Sequence, residues 1–314
     1  MSQRLVIIDM GTNTFHLLIS EIVDGKPHTL VNEKSAVGLG KGGINQGIIT
    51  DDAIARALIT LKEFRIILDA HKVSHVIATG TSAVRTAKNK NVLIDKVKTE
   101  VNIHVEVIDG PREAELIFRA VQEAIAMEDK LHLAMDIGGG SVEFIIGDSK
   151  KIVWRQSFEI GGQRLIERFH VHDPIREEDR LEMHNYFDSI LKSLDDAIKK
   201  YKPIQLIGCS GTFDTLAEMN IQHHREKILL EKQTCYLMSL NDFKRIRNQM
   251  VHSTRAERLK FAGMIELRVD MVVVAMCLIE HVLVFLKANS IMVSTYALKE
   301  GVLYTMLDGE KVGI

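Results

Sequence analysis

One short pattern occurs twice in this chain, and that repetition limits the folds open to it more than any other feature. Residues 6–19 (VIIDMGTNTFHLLI) and 134–146 (AMDIGGGSVEFII) each run from an apolar stretch to an aspartate, through a glycine-bearing turn and a hydroxyl, into a second apolar stretch. Superposed, Asp9 falls on Asp136, Gly11 on Gly138 and Thr14 on Ser141, an offset of 127 residues. A second pair, residues 75–87 (HVIATGTSAVRTA) and 205–217 (QLIGCSGTFDTLA), recurs at an offset of 130, with Ile77 over Ile207. Two segments repeated in one order at nearly one spacing argue for a single domain plan used twice. A chain of 314 residues has room for two domains of ordinary size.

Each copy is predicted to open on two strands joined by the turn, followed by a helix and a third strand. In the first half Thr50, Asp51 and Asp52 read as a helix cap, and Ile54, Leu58, Leu61, Phe64 and Leu68 follow at three- and four-residue spacing. In the second, Asp173-Pro174 opens the counterpart, with Leu181, Phe187, Ile190, Leu194 and Ile198 expected on one stripe. Both helices lead into short apolar strands, at 75–79 and 204–208. Pro111 suits the first turn of a further helix, from 112 to about 127, that crosses between the halves. Met271–Leu286 reads as a buried helix. Strands and helices alternating in this way define an α/β fold. The expected division is 1–125 and 126–314, with a cleft between them and a last helix at about 298–309 that packs back on the first domain.

Charge restricts function before any motif does. Forty Lys and Arg against forty-two Asp and Glu leave a formal charge of −2. That excludes a globally basic nucleic-acid binder and an acidic solvating tail, so an anionic ligand must be held by local groups. Three cysteines, Cys209, Cys235 and Cys277, are too few for a disulfide framework or a four-ligand zinc cage, and a reducing cytoplasm is expected. The N-terminus lacks the apolar core of a signal peptide. The apolar stretch at 271–279 is less than half of the roughly twenty residues a membrane span needs, so no membrane segment is expected.

The glycine turns carry the chemistry. Gly138, Gly139 and Gly140 let a ligand approach backbone N–H groups, so the turn can cradle a phosphate, and Asp136 beside it can hold magnesium. A hairpin using glycine for geometry alone would account for one such turn. The order of Asp9, Gly11, Thr12, Asn13 and Thr14 repeats it. Residues 80–85 (GTSAVR) follow a strand and open a helix whose N–H groups favour anions; Arg85 could add a contact to phosphate or serve as a salt-bridge partner. Glu113 lies in the first turn of the crossing helix, where the helix dipole favours any acid, and where a carboxylate could also take a proton from water aimed at phosphorus. His170, His172, His223 and His224 have no third ligand at a motif spacing and read as ordinary exposed histidines.

In order along nearly the whole chain, DMGTNTFHLL, GTSAVRTAKN, DGPREAELIF, DIGGGSVEF, GGQRL, GCSGTFDTLA and VSTYALKEGVL resemble the exopolyphosphatase and guanosine pentaphosphate phosphatase family. That family belongs to the superfamily of actin, sugar kinases and heat-shock chaperone ATPases. The resemblance implies two related actin-like (ribonuclease H-like) domains with mixed sheets flanking an interdomain cleft. It also implies removal of terminal phosphate from inorganic polyphosphate, with Mg2+ or another divalent cation as cofactor. Position by position, Glu113 matches the family's catalytic base in preference to Glu115, while Asp136 and Glu143 match the acidic positions for the metal and the active water. Gly11, Thr12, Asn13, Gly138, Gly139, Gly140 and Ser141 match its phosphate loops, and Arg85 its basic helix-start position.

The chain departs from the family pattern in places. His16 stands where some relatives have Arg, and Gly38 where a basic residue is common, leaving Lys41 nearby. Lys299 occupies a frequent Arg position and offers a point charge in place of a bidentate fork. The long helical extension of larger relatives is missing, so their extended polymer-binding surface is not expected. Hydrolysis of the 5′ γ-phosphate of guanosine pentaphosphate is the nearest alternative, and no residue separates the two substrates. An ATP-dependent kinase of the superfamily and a non-catalytic ATP- or polyphosphate-sensing module are further alternatives. Against the last stands the acidic set Glu113, Asp136 and Glu143, since a polyanion binder gains nothing from negative charge beside its ligand. A homodimer is compatible with each, and a nucleic-acid partner is not expected.

Overall fold

The computed structural model describes residues 3–73 and 76–312. In chain order, β1 (Gln3–Met10), β2 (Thr14–Val23) and β3 (Lys26–Ala36) form a meander, and α1 (Asp51–Ala70) leads into β4 (Ile77–Gly80). Helices α2 (Ser82–Thr86) and α3 (Lys90–Val101) lead into β5 (His104–Val107), and α4 (Gly110–Ala124) follows. The second half starts alike, with β6 (His132–Ile137), β7 (Val142–Gly147) and β8 (Ile152–Phe158), then α5 (Gly162–Phe169), α6 (Glu177–Ile190), α7 (Lys192–Tyr201) and β9 (Leu206–Cys209). It continues through α8 (Ser210–His224), β10 (Cys235–Ser239), α9 (Leu240–His252), α10 (Arg255–Arg258), α11 (Met271–Leu286), β11 (Ser290–Ser294) and α12 (Leu298–Leu307). Two mixed sheets result, ordered β3-β2-β1-β4-β5 and β10-β11-β9-β6-β7-β8.

The sequence repeat is a repeat of hydrogen bonds. Gly11 N–H donates to the Thr14 carbonyl at 3.1 Å, and Gly138 N–H to the Ser141 carbonyl at 3.0 Å. Across the antiparallel pair Asp9 faces His16, and in the second half Asp136 faces Glu143. On the parallel side Asp9 neighbours Thr79 and Asp136 neighbours Cys209. Glu143 therefore stands in the second hairpin where His16 stands in the first.

Helix α1 starts where Thr50 Oγ1 accepts the Ala53 N–H at 3.3 Å, and it buries Ile54, Leu58, Leu61, Phe64 and Leu68 with residues of β1 and β2. Asp109 caps α4 by accepting the Arg112 N–H at 2.7 Å. Leu116, Ile117, Phe118 and Val121 of α4 then join one core with residues of β1, β6 and α12. Helix α4 packs on β7, β8 and α12, and α12 in turn lies on β1. The α4–α12 crossing is tight: a Cβ at Gly301 would stand 1.8 Å from the Leu116 carbonyl oxygen, so only glycine fits there.

Some element boundaries differ from the sequence pattern. The helix expected to carry the stripe from Leu181 to Ile198 is interrupted at Leu191, between α6 and α7. The buried positions are Met183, Phe187, Leu191, Leu194 and Ile198, with Ala197, at three- and four-residue spacing through the break, and Leu181 and Ile190 lie off that register, 62% and 40% exposed. Strand β9 begins at Leu206, and Ile204 before it is exposed. The start of the strand expected at 75–79 lies outside the described residues, and α4 ends at Ala124, short of 127. Among the described residues no helix is long and apolar enough to cross a membrane. The most apolar helix, α11, is packed in the core of the second half.

Candidate active site

The turns after β1 and β6, the N-termini of α2 and α8, the first turns of α4 and the segment 295–299 border one cavity of about 110 Å3. Gly11, Thr12, Asn13, Glu113, Asp136, Gly138, Gly139, Gly140, Ser141 and Glu143 all face it, whereas Arg85 does not. The Arg85 guanidinium is instead engaged beside it, donating to Glu113 Oε2 at 2.7 Å, Glu159 Oε1 at 3.0 Å and the Ile108 carbonyl at 3.3 Å.

The geometry of the second turn follows from what holds its carbonyls. Gly162, Gln163 and Gly161 at the start of α5 donate their N–H groups to the carbonyls of Gly138, Gly139 and Gly140 at 2.9, 2.8 and 3.0 Å. Each peptide is planar, so the N–H groups of Gly139, Gly140 and Ser141 point away from α5. The turn is also pressed against its counterpart. A Cβ on Gly139 would lie 2.8 Å from Asn13 Cγ, and one on Gly140 2.4 Å from Ser82 Oγ and 2.5 Å from Thr12 Oγ1. These two positions need glycine because the turns touch.

Carboxylates crowd the cavity wall. Glu113, Asp136 and Glu143 are 6%, 6% and 1% exposed. Burial raises Asp136 to about 7, reinforced by Glu113, although Ser210 donates to it. Glu143 is raised well above the usual carboxylate range by burial, then by Glu113 and Asp136, although Ser157 Oγ donates to it at 2.7 Å. Burial also raises Glu113, and the Arg85 ion pair only partly opposes this. Desolvation, Glu113 and Asp136 together push Asp9 to about 8.

Cations gather along another part of the same wall. Lys34, Arg268 and Lys299 border the cavity with Asp214 and His16. Arg268 is 5% exposed, its Nε has no hydrogen-bond partner among the described residues, and its Nη1 meets only the Met271 sulfur. Burial raises Asp214 to about 6 while Lys34, Lys299 and Arg268 pull it down. Burial, with Lys299, Lys34 and Arg268, lowers His16 to about 3 and keeps its ring neutral. Of this group the sequence singled out only His16 and Lys299. Asp214 and Ser82 lie inside repeated segments and could have been found there, whereas Arg268, in a short turn before α11, carries no local signal.

The donor set suits a hard divalent cation. Asp9 Oδ1 and Asn13 Oδ1 are buried oxygens without hydrogen-bond partners among the described residues, and both residues border the same cavity as the Asp136 and Glu143 pair. Among the described residues no three His, Cys, Asp or Glu side chains converge to cage an ion. Magnesium is commonly held through one or two carboxylates and the phosphates of its substrate, and this wall fits that demand.

Two mixed sheets meeting at paired hairpin turns make this an α/β protein of the actin-like superfamily. Residues 18–310 match the Ppx/GppA phosphatase family, and the chain belongs to it. An exopolyphosphatase from Cytophaga hutchinsonii is 73% identical, covering 99% of this chain and 100% of its own with a TM-score of 0.97. The Aquifex aeolicus Ppx/GppA family member is 26% identical over 98% of each chain, with a TM-score of 0.79. The guanosine-5'-triphosphate,3'-diphosphate pyrophosphatase of Photobacterium profundum is 29% identical over 96% of this chain, which spans 58% of that protein's length.

Proposed function

We propose that this chain is an exopolyphosphatase, releasing orthophosphate from the ends of inorganic polyphosphate. The observation that carries this reading is the meeting, in one small cavity, of two glycine turns with the buried carboxylates Glu113, Asp136 and Glu143. The 73% identity to the Cytophaga hutchinsonii protein supports it. In this reading 1–125 and 126–314 are two domains whose approach brings the turns together around the phosphate chain.

Backbone N–H groups of the turns hold the terminal phosphate, and Glu113 takes a proton from the attacking water. As the oxygen–phosphorus bond to water forms, the bridging bond breaks and its electron pair stays on the shortened chain. Glu113 works as base only when ionised. Burial brings its pKa toward the working pH, and Arg85 keeps the ionised form accessible. Magnesium held through Asp136 and Glu143 would offset charge on the phosphate oxygens.

The relative from Photobacterium profundum favours a second reading, hydrolysis of the 5′ γ-phosphate of guanosine pentaphosphate. Initial phosphate release from both substrates at matched concentration, with and without magnesium, separates the two. No phosphate from polyphosphate, or full activity in Glu113→Gln, ends the exopolyphosphatase reading.

A further inference from the structure

Beside the cavity, three donors converge on one carboxylate that the chemistry above does not use. Glu159 sits in the short link between β8 and α5. Its Oε2 accepts from Ser82 Oγ at 2.5 Å and Arg164 Nη2 at 3.1 Å, and its Oε1 accepts from Arg85 Nη2 at 3.0 Å. Through its other terminal nitrogen, Arg85 holds Glu113. Ser82 borders the cavity and lies against Gly140 of the phosphate turn. Two guanidinium groups and a hydroxyl, adjoining the glycine turn and the base, are the donor set for a tetrahedral oxyanion.

The donors are fixed and the acceptor is not. Ser82 is 1% exposed, and the side chains of Arg85 and Arg164 are 16% and 14% exposed. Arg164 is further tied to the carbonyls of Gly140 and Ile44, each at 2.8 Å, and to Thr86 Oγ1 at 3.1 Å. Glu159 is 39% exposed and has solvent to turn into. Resting on the phosphatase reading, we propose that Ser82, Arg85 and Arg164 form a phosphate subsite, and that Glu159 is the resident anion which an incoming phosphate displaces.

Binding is then a competition between like charges for one set of donors. Glu159 also joins the two halves of the chain, so a closure role must be told apart from occupancy. Glu167 makes a comparable connection that does not use the three donors, accepting the Gly42 N–H at 2.9 Å and Asn45 Nδ2 at 3.4 Å.

Calorimetric titration of the full chain with inorganic orthophosphate, which needs no turnover, tests the proposal. Glu159→Gln and Glu159→Ala should each bind orthophosphate at least about tenfold more tightly than wild type, the scale of one hydrogen bond to a charged group. Glu167→Gln should bind as wild type does. Unchanged or weaker binding in both Glu159 variants, or an equal gain in Glu167→Gln, overturns the subsite. Tighter binding in a protein that hydrolyses no polyphosphate ends the exopolyphosphatase reading and leaves the subsite standing. Polyphosphate turnover without the gain ends the subsite alone.

Discussion

Asp9 offers a test of how strongly the cavity resists negative charge. Desolvation, Glu113 and Asp136 raise its pKa from 3.8 to about 8. The folded chain therefore holds this proton more tightly than the unfolded one, and the stability it contributes is complete below about pH 4 and lost as pH climbs toward 8. At 1.36 kcal/mol per unit, the loss from Asp9 between pH 5 and pH 7 is about 2–3 kcal/mol. His16 acts in the opposite sense. Its folded pKa is lowered to about 3, so its contribution falls away as pH drops from 6.5. The raw slope for wild type mixes the two, and the difference between wild type and Asp9→Asn isolates the carboxylate. In metal-free buffer, urea unfolding at pH 5, 6 and 7 should show the variant gaining about 2–3 kcal/mol on wild type across that range. A difference independent of pH would refute the reasoning, because it would mean that Asp9 titrates alike in both states.

Glu113→Gln should lower kcat on polyphosphate by about 10²–10⁴, the usual scale of general-base catalysis, as measured by initial phosphate release. Arg85→Met removes the cation that pulls the Glu113 pKa down, so the acid limb of the pH–rate profile should move to higher pH; an unmoved limb counts against Glu113 as the base. Gly301→Ala forces a methyl group into the Leu116 carbonyl and should cost about 1–3 kcal/mol or more in chemical denaturation, by lifting α12 from α4. Magnesium should raise the melting temperature more at pH 8 than at pH 5, because protons and the cation compete for the same carboxylate oxygens.

The parts of the site that were legible in sequence are those where few residue types can serve. A turn packed as closely as Gly139 on Asn13 and Gly140 on Ser82 admits only glycine, so two such turns at a constant offset reveal themselves. Glu113 stood out only through the family pattern, since an acid in a first turn has an ordinary explanation; its burial beside Arg85 supplies what periodicity lacks. Lys34, Asp214 and Arg268 come from β3, α8 and a turn before α11, and only the folded chain brings them together. Helical spacing misled at Leu181 and Ile190 because a second apolar register, Met183, Phe187, Leu191, Leu194 and Ile198, shares most of the stripe and is the one the fold buries.

The two hairpins differ at the position facing the aspartate, Glu143 in one and His16 in the other. The neutral ring of His16 lies among Lys299, Lys34 and Arg268, and Glu143 lies among acids. On the phosphatase reading, that divergence and the cations beside His16 would together give the bound polymer a polarity, its terminus at the acidic hairpin and its body at the cationic one. On that same reading, digestion from an end would follow from two copies of a motif that no longer match.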